Sequence, residues 1–497
     1  MPSYQLLPCF FERLPNDRVL LVSQGGSFCV VSTPIFEAFS SRTLALDHPF
    51  FLELKSKQLL YDEDLETPKR ILATQYRTRK GFLLDFTMLH MMVLTVRCNM
   101  KCNYCHATSE IENGDRKRYD MPPEVIRKTV DCILSAPSPF LKIEFQGGEP
   151  LLRFDLIKET VAYANERAAS LRKNLEFVVC TNLTILEDEH LEFFRCNKIH
   201  VSTSYDGPKT LHDLHRIFEG GRGTHDRFVQ NLKKTIDTLG PEYVNALMTT
   251  TRDSLGRITE IVDAYVSLGL SSFFFRSLNP YGRAMEFQDK FEYSAEEFVR
   301  AYRKGLEHII QLNLLGKPLI EGFATLLLSR MLTPFPTGFV DLQSPSGAGI
   351  GGAIYDYNGD VYLADEGRML ARKGNFRFRL GNVMTNTHRE MFGSPLIREI
   401  AEKSVVESMP GCSNCAYHLW CGADPVRNYA LQGDCVGHRP TSEFCTKQKG
   451  LFSYLLEKIL ENDEKVLEVF WSWILRRPVS HLRIPKPQWE TIQKGSS

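Results

Sequence analysis

Arg97-Cys98-Asn99-Met100-Lys101-Cys102-Asn103-Tyr104-Cys105-His106 is the stretch on which the reading of this chain turns. Its three thiols, spaced Cys-x3-Cys-x2-Cys, sit on one short loop. A closed structural zinc site takes four ligands, whereas three thiolates can hold three corners of a cubane iron–sulfur cluster and leave the fourth iron open to another ligand. Zinc or an inert buried thiol is the bland reading of the same run, and the rest of the chain decides between them.

Outward from this run, between about 91 and 280, short apolar runs alternate with amphipathic stretches, which predicts repeated βα units on a parallel sheet. Strands are expected at 91–96, 141–146, 175–181, 199–204, 243–251 and 271–277. Helices are expected near 122–135, 154–173, 187–195, 225–239 and 255–268, the first with proline in its opening turn. Six units fall short of a closed eight-unit barrel, so the expected fold class is α/β, with an open, partial (β/α)6 barrel. In such folds functional residues gather where strands end. Cys98 follows the first strand, Gly147-Gly148-Glu149-Pro150 the second, Thr181-Asn182 the third, Ser204-Tyr205-Asp206-Gly207 the fourth and Arg276 the sixth. Singly, these would be ordinary turns and a surface charge. Their common position after successive strands points to one site.

The 497 residues, 43% of them hydrophobic, are enough for several domains. The expected divisions are 1–85, 86–290, 291–340 (a helical linker), 341–450 and 451–497 (a helix and a proline-bearing tail). Lys+Arg and Asp+Glu balance at 60 each, so no global field attracts nucleic acid or an anionic membrane, and neither is an expected partner. No run reaches the roughly 18 apolar residues of a membrane span, and the N-terminus lacks signal-peptide character, so a cytoplasmic location is expected. Of 13 cysteines, eight fall in two clusters; Cys9, Cys29, Cys132, Cys180 and Cys196 lie among apolar neighbours and read as core.

The cysteine spacing, the aromatic Tyr104 and the ordered strand-end motifs resemble the radical S-adenosylmethionine (SAM) superfamily over about residues 90–450. That resemblance implies a [4Fe-4S] cluster on Cys98, Cys102 and Cys105 with exchangeable SAM on its open iron, and reductive cleavage of SAM to a hydrogen-abstracting 5′-deoxyadenosyl radical. It further implies that Gly147, Gly148, Glu149 and Pro150 receive the methionine amino group, with Glu149 as a charged acceptor. Ser204 and Asp206 would meet the ribose, Arg276 the SAM carboxylate and Tyr104 the adenine, with Thr181 and Asn182 on the same rim.

A second cluster reads Cys412-x2-Cys415-x5-Cys421, followed by Cys435 and Cys445. Alone it would suit a zinc ribbon. Beside the first cluster it resembles the SPASM extension, a C-terminal domain that holds auxiliary iron–sulfur clusters in peptide-modifying enzymes. Pro425 and Ala364 stand where that pattern has further cysteines, which implies a single auxiliary [4Fe-4S] cluster on Cys412, Cys415, Cys421 and Cys445, with Cys435 as the alternative fourth ligand. Asp365 aligns with the proton acceptor of anaerobic sulfatase-maturing relatives; its plain reading is a polar turn after a strand.

The small N-terminal α/β module, with strand-like 18–22 and 27–31 and an amphipathic 33–39, resembles winged-helix modules that capture a leader peptide by adding it as a strand. The stretches 364–370, 420–430 and 437–445 resemble the radical SAM maturase of His-Xaa-Ser peptide systems. This narrower resemblance implies a ribosomally made precursor peptide with His-Xaa-Ser repeats, a companion radical SAM protein and a reductant such as flavodoxin or ferredoxin. The expected activity is a peptide maturase forming a carbon–carbon or carbon–heteroatom crosslink. The alternatives are a sulfatase-type maturase making formylglycine, or a zinc-stabilised peptide-binding scaffold.

Overall fold

Residues 140–147 read Phe-Leu-Lys-Ile-Glu-Phe-Gln-Gly, and in a computed structural model of the protein they form a strand that buries Leu141, Ile143 and Phe145 while Lys142, Glu144 and Gln146 stay partly open. The same alternation recurs in His200–Ser204 and Ser272–Arg276. Period-two alternation sends one set of side chains under the covering helices and the other into a central space. The structure describes residues 4–107, 110–111, 116–279, 281–286 and 291–482; the prolines 485 and 487 of the expected tail lie outside them.

Leu89–Thr95, Phe140–Gly147, Asn174–Cys180, His200–Ser204, Val244–Thr249 and Ser272–Arg276 pair in sequence order, all parallel. Helices Pro123–Leu134, Phe154–Leu171, Asp188–Asn197, His225–Leu239 and Ile258–Ser267 form the crossovers, each at the position the periodicity predicts to within a few residues. The sheet nevertheless runs to ten strands. Ile320–Glu321 joins one edge in parallel, and Gly352–Tyr355 lies parallel to Leu89–Thr95 at the other. Asp360–Tyr362 and Arg379–Asn382 then follow antiparallel.

This extension alters two of the expected divisions. Residues 291–340 form no free-standing linker, because helix Ala295–Leu314 buries Phe298, Tyr302, Leu306 and Ile309 in the main core. The segment after 341 starts inside the barrel's own sheet, where its backbone pairs an edge that would otherwise be left with unsatisfied groups. The N-terminal module has its own small core around Val19, Leu21, Phe39 and Leu54, and a three-stranded antiparallel sheet ordered Cys9–Leu14, Arg18–Ser23, Phe28–Ser32. It docks on the cysteine-rich segment: Trp420 Nε1 donates to the Gly26 carbonyl at 3.2 Å, and Phe28 meets the Trp420 ring edge-on at 5.2 Å. Among the described residues no helix is long and apolar enough to cross a membrane.

Of the scattered cysteines, Cys29 and Cys132 are buried as expected. Cys196 is instead exposed on its helix, bonded to Glu192 at 3.2 Å. Cys180 is not core either, since the last position of its strand turns its thiol towards the central space, 3.1 Å from Glu144 Oε1.

Candidate active site

A cavity of about 240 Å³ lies over the C-terminal ends of the parallel strands. Its wall carries Cys98, Cys102 and Cys105 together with Tyr104, Gly147, Gly148, Thr181, Asn182, Ser204 and Arg276. Residues spread over about 180 positions of sequence thus converge because each ends a neighbouring strand. Glu149, Pro150 and Asp206 stand behind this wall.

The cysteine loop is held by buried ionic contacts. Arg97 donates through Nε and Nη2 to the two oxygens of Asp120, both at 2.9 Å, while Arg153 Nη1 and Thr95 Oγ1 each reach Asp120 at 2.6 Å. The glycines serve this loop. Gly147 has φ +131°, and a Cβ there would come within 2.1 Å of the Thr95 carbonyl oxygen; one on Gly148 would come within 2.0 Å of that of Arg97. Their bareness thus lets the second strand's end close on the cysteine run.

Glu149 is fully enclosed, and its carboxylate already accepts from Leu151 N at 3.0 Å, Thr181 Oγ1 at 2.7 Å and Asn182 N at 2.7 Å. Burial outweighs these bonds and raises its pKa to about 7. With the folded value above the ordinary one, the folded state binds the extra proton, so this group's contribution to stability falls as pH rises from about 4.5 to about 7. Glu149→Gln turns an amide N–H₂ towards groups that are themselves donors, and is expected to cost about 1–3 kcal/mol. Thermal melts without SAM check this: the variant should melt lower at pH 5, with a deficit that shrinks towards pH 8, and lose the wild-type slope between pH 5 and 7. Unchanged melts would leave Glu149 a ligand contact with no structural share.

Asp206 accepts the Tyr104 hydroxyl in a short bond and Thr249 N at 3.3 Å, and Arg216 Nη1 donates to the same hydroxyl at 3.2 Å. The Tyr104 ring is thereby fixed from two sides. Asn182 Nδ2 bonds Asn99 Oδ1 at 2.9 Å, tying the third strand's end to the cysteine loop. Asp365 opens a short helix, Asp365–Ala371; Arg368 Nε donates to it at 2.9 Å and His106 Nε2 lies 4.0 Å away. Burial and then the Arg276 charge hold the His106 imidazole down at about 4, so it is neutral near pH 7.

Sequence reasoning missed Arg216, Arg368, Glu144 and Cys180, all in this wall. Arg216, Glu144 and Cys180 lie outside the motifs, and Arg368 lies in the stretch 364–370 without being singled out there. The strand alternation that exposes Glu144 was the one available signal.

The second cluster encloses another cavity of about 240 Å³, lined by Cys412, Cys415, Cys421 and Cys445 with Glu12, Tyr417 and Gln448. Cys435 lies elsewhere, 1% exposed in an apolar cluster with Phe378 and Val426, its sulfur 3.9 Å from Arg377 Nη2. Arg330 is buried and donates to the carbonyls of Leu419, Trp420 and Cys421 at 3.0–3.3 Å, which fixes the loop entering the site. Among the described residues no group of three or more His, Cys, Asp and Glu side chains is arranged to hold a single metal ion. A cubane, with its sulfur ligands several ångströms apart, would suit the three thiols of Cys98, Cys102 and Cys105 around one cavity. Burial raises the thiol pKa of Cys98 well above the ordinary value and that of Cys102 to about 11. A cationic cluster would relieve the cost of ionising them.

Strand order, loop and wall together define a radical SAM domain, and residues 92–263 match the radical SAM superfamily. The chain is 28% identical to the uncharacterized protein MJ0907 of Methanocaldococcus jannaschii, over 39% of this chain and 64% of that one, so it spans less than two thirds of that relative. It is 24% identical to the cysteine-type anaerobic sulfatase-maturating enzyme of Clostridium perfringens, over 73% of this chain and 94% of the enzyme. In fold it resembles anSMEcpe with bound AdoMet and Cp18Cys peptide, with a TM-score of 0.61 at 19% identity, covering 76% of this chain and 98% of that one. It also resembles Streptococcus suis SuiB bound to S-adenosylmethionine, with a TM-score of 0.53 at 16% identity, covering 88% and 100%. Residues 92–263 thus match the radical SAM superfamily, in a chain similar to an anaerobic sulfatase-maturating enzyme and akin in fold to SuiB.

Proposed function

We propose that the protein is a peptide maturase that abstracts hydrogen from a ribosomally made precursor and crosslinks it through a carbon–carbon or carbon–heteroatom bond. One observation carries the reading: the cavity with the three thiols shares His106, Glu144, Ser202, Arg276 and Asp365 with a larger cavity of about 540 Å³, room for a peptide side chain beside the reacting centre. When bound, a [4Fe-4S] cluster on Cys98, Cys102 and Cys105 with SAM would supply the hydrogen-abstracting radical.

The chain's own residues do the rest. Arg276 orients a carboxylate and Ser204 a hydroxyl; Tyr104, pinned by Asp206 and Arg216, offers a fixed aromatic ring. Asp365 stands at the junction of the two cavities, where a carboxylate can take the proton released as a substrate radical is oxidised. Cys412, Cys415, Cys421 and Cys445 would hold one auxiliary [4Fe-4S] cluster to accept the electron. The N-terminal sheet, whose outer strands pair on one side only among the described residues, would take a leader segment as an added strand. A flavodoxin or ferredoxin would reduce the enzyme. His-Xaa-Ser repeats in the precursor and a companion radical SAM protein belong to the same reading.

The likeness to the Clostridium perfringens enzyme over 94% of its length favours a second reading, oxidation of cysteine or serine to formylglycine. Coexpression with a candidate precursor and tandem mass spectrometry separates the two. A crosslink removes two hydrogens and suppresses fragments between the joined residues. Formylglycine keeps the fragment ladder and gives an aldehyde that a hydrazide captures; that outcome, or an unmodified peptide, would overturn the crosslinking reading.

A further inference from the structure

The larger cavity is lined by both apolar and acidic groups. Phe274, Phe323 and Phe339 are in mutual ring contact at 5.8–6.3 Å. The same lining carries the carboxylates of Asp341 and Glu366, both in the field of Asp424. Neither lining carboxylate has an ion pair within 4.0 Å among the described residues, and burial, then the charge of Asp424, pushes both pKa values up. Lys447 shares the cavity, but its Nζ is engaged by Ser277 Oγ at 2.9 Å.

A second observation is independent of these acids. Gln448, 2% exposed, lines the same cavity, and its Oε1 has no hydrogen-bond partner. Tyr281, also 2% exposed, lies in the field of Asp424 and Glu366 with its hydroxyl likewise unpartnered. A buried acceptor without a donor costs about 1–3 kcal/mol, so the site is built for something that brings donors. Carboxylates and an amide oxygen in a lining that also carries phenylalanine rings match a donor-rich cation on an apolar stem.

Lys447, Arg276 and Arg427 are the cations that offset Asp341. If Arg276 is taken by the SAM carboxylate, as in the proposed function, Asp341 loses one of these cations.

We propose that this cavity is a specificity subsite for a basic side chain, lysine or arginine, of the substrate peptide, completed when SAM is bound. The inference rests on the peptide-maturase reading. Glu366 follows Asp365, so a basic residue seated here brings its neighbours in the peptide to the junction with the thiol-lined cavity.

The test uses the full-length, cluster-loaded protein under anaerobic conditions and randomised nonapeptide pools with the central position fixed as Lys, Arg, norleucine or Glu. Equilibrium ultrafiltration reads retained peptide and retained SAM together. Lys and Arg pools should be retained about tenfold better than norleucine, the worth of one charge-assisted contact. The preference should shrink to about twofold or less in Asp341→Asn or Glu366→Gln, and also in the wild type without SAM. Equal retention of norleucine, or a basic preference that survives both substitutions, would overturn the subsite. Absence of retained SAM would instead count against the radical SAM site itself.

Discussion

Alanine at Cys98, Cys102 and Cys105 together is expected to abolish 5′-deoxyadenosine formation in anaerobic, dithionite-reduced assays and to remove about four irons per chain, the content of one cubane. The effect should be all or none, because these three are the thiols that the cysteine loop presents to the cavity with Arg276 and Ser204. Cys180 in the same wall already bonds Glu144, and its thiol, with a pKa raised well above the ordinary value by burial, is a poor replacement ligand. The brown colour of the auxiliary cluster proposed for Cys412, Cys415, Cys421 and Cys445 should survive the triple change, which separates loss of one site from loss of the fold. Continued 5′-deoxyadenosine formation in the variant, or zinc in place of iron in the wild type, would reject the radical SAM reading.

The parts legible in the sequence share a physical character: each is written in consecutive residues. The six strands were readable as short apolar runs, such as those around Ile143 and Phe145 or Phe273 to Phe275, set between amphipathic stretches. The edge strands were not. Ile320–Glu321 has two residues, too few for any period, and Gly352–Tyr355 is buried throughout and begins in a glycine-rich run that reads as a loop. Its pairing with Leu89–Thr95 is a contact across about 260 residues, which local pattern does not encode. The site divides in the same way. Cysteine spacing, strand-end glycines and Arg276 were visible, whereas Arg216 and Glu144 acquire meaning only when strands converge. Glu149 shows the reverse case, a motif residue whose three donors all come from the protein. The acidic lining of the larger cavity escaped for the simplest reason: Asp341, Glu366 and Asp424 are ordinary carboxylates on three separate segments until folding brings them into one another's field.

Asp120→Ala is expected to cost about 3–5 kcal/mol, the range for removing one partner of a buried ion pair, because Arg97 loses its bidentate carboxylate partner, whereas Arg153 keeps Asp155. Arg97 and Asp120 are each 7% exposed, and Arg153 meets the same carboxylate. The Asp120 pKa is lowered by its hydrogen bonds to Arg97, Thr95 and Arg153 against the burial that opposes them, so its contribution is fully present above the ordinary carboxylate value and is lost as pH falls through the folded one. Denaturant melts should therefore show the large deficit at pH 7 and a shrinking one towards pH 3. Arg97→Met made together with Asp120→Ala should restore part of the loss, since it removes a buried charge that the first change deprives of its carboxylate. Arg97 also precedes Cys98, so the cost is not only global. With its anchor gone, the loop's first thiol loses its fixed place, and iron bound at the first site should fall relative to iron at the second, which lies on a separate loop held by Arg330. An equal fall at both sites would make Asp120 a general stabiliser, whereas a selective fall makes it the residue that holds the cysteine loop in the geometry its chemistry requires.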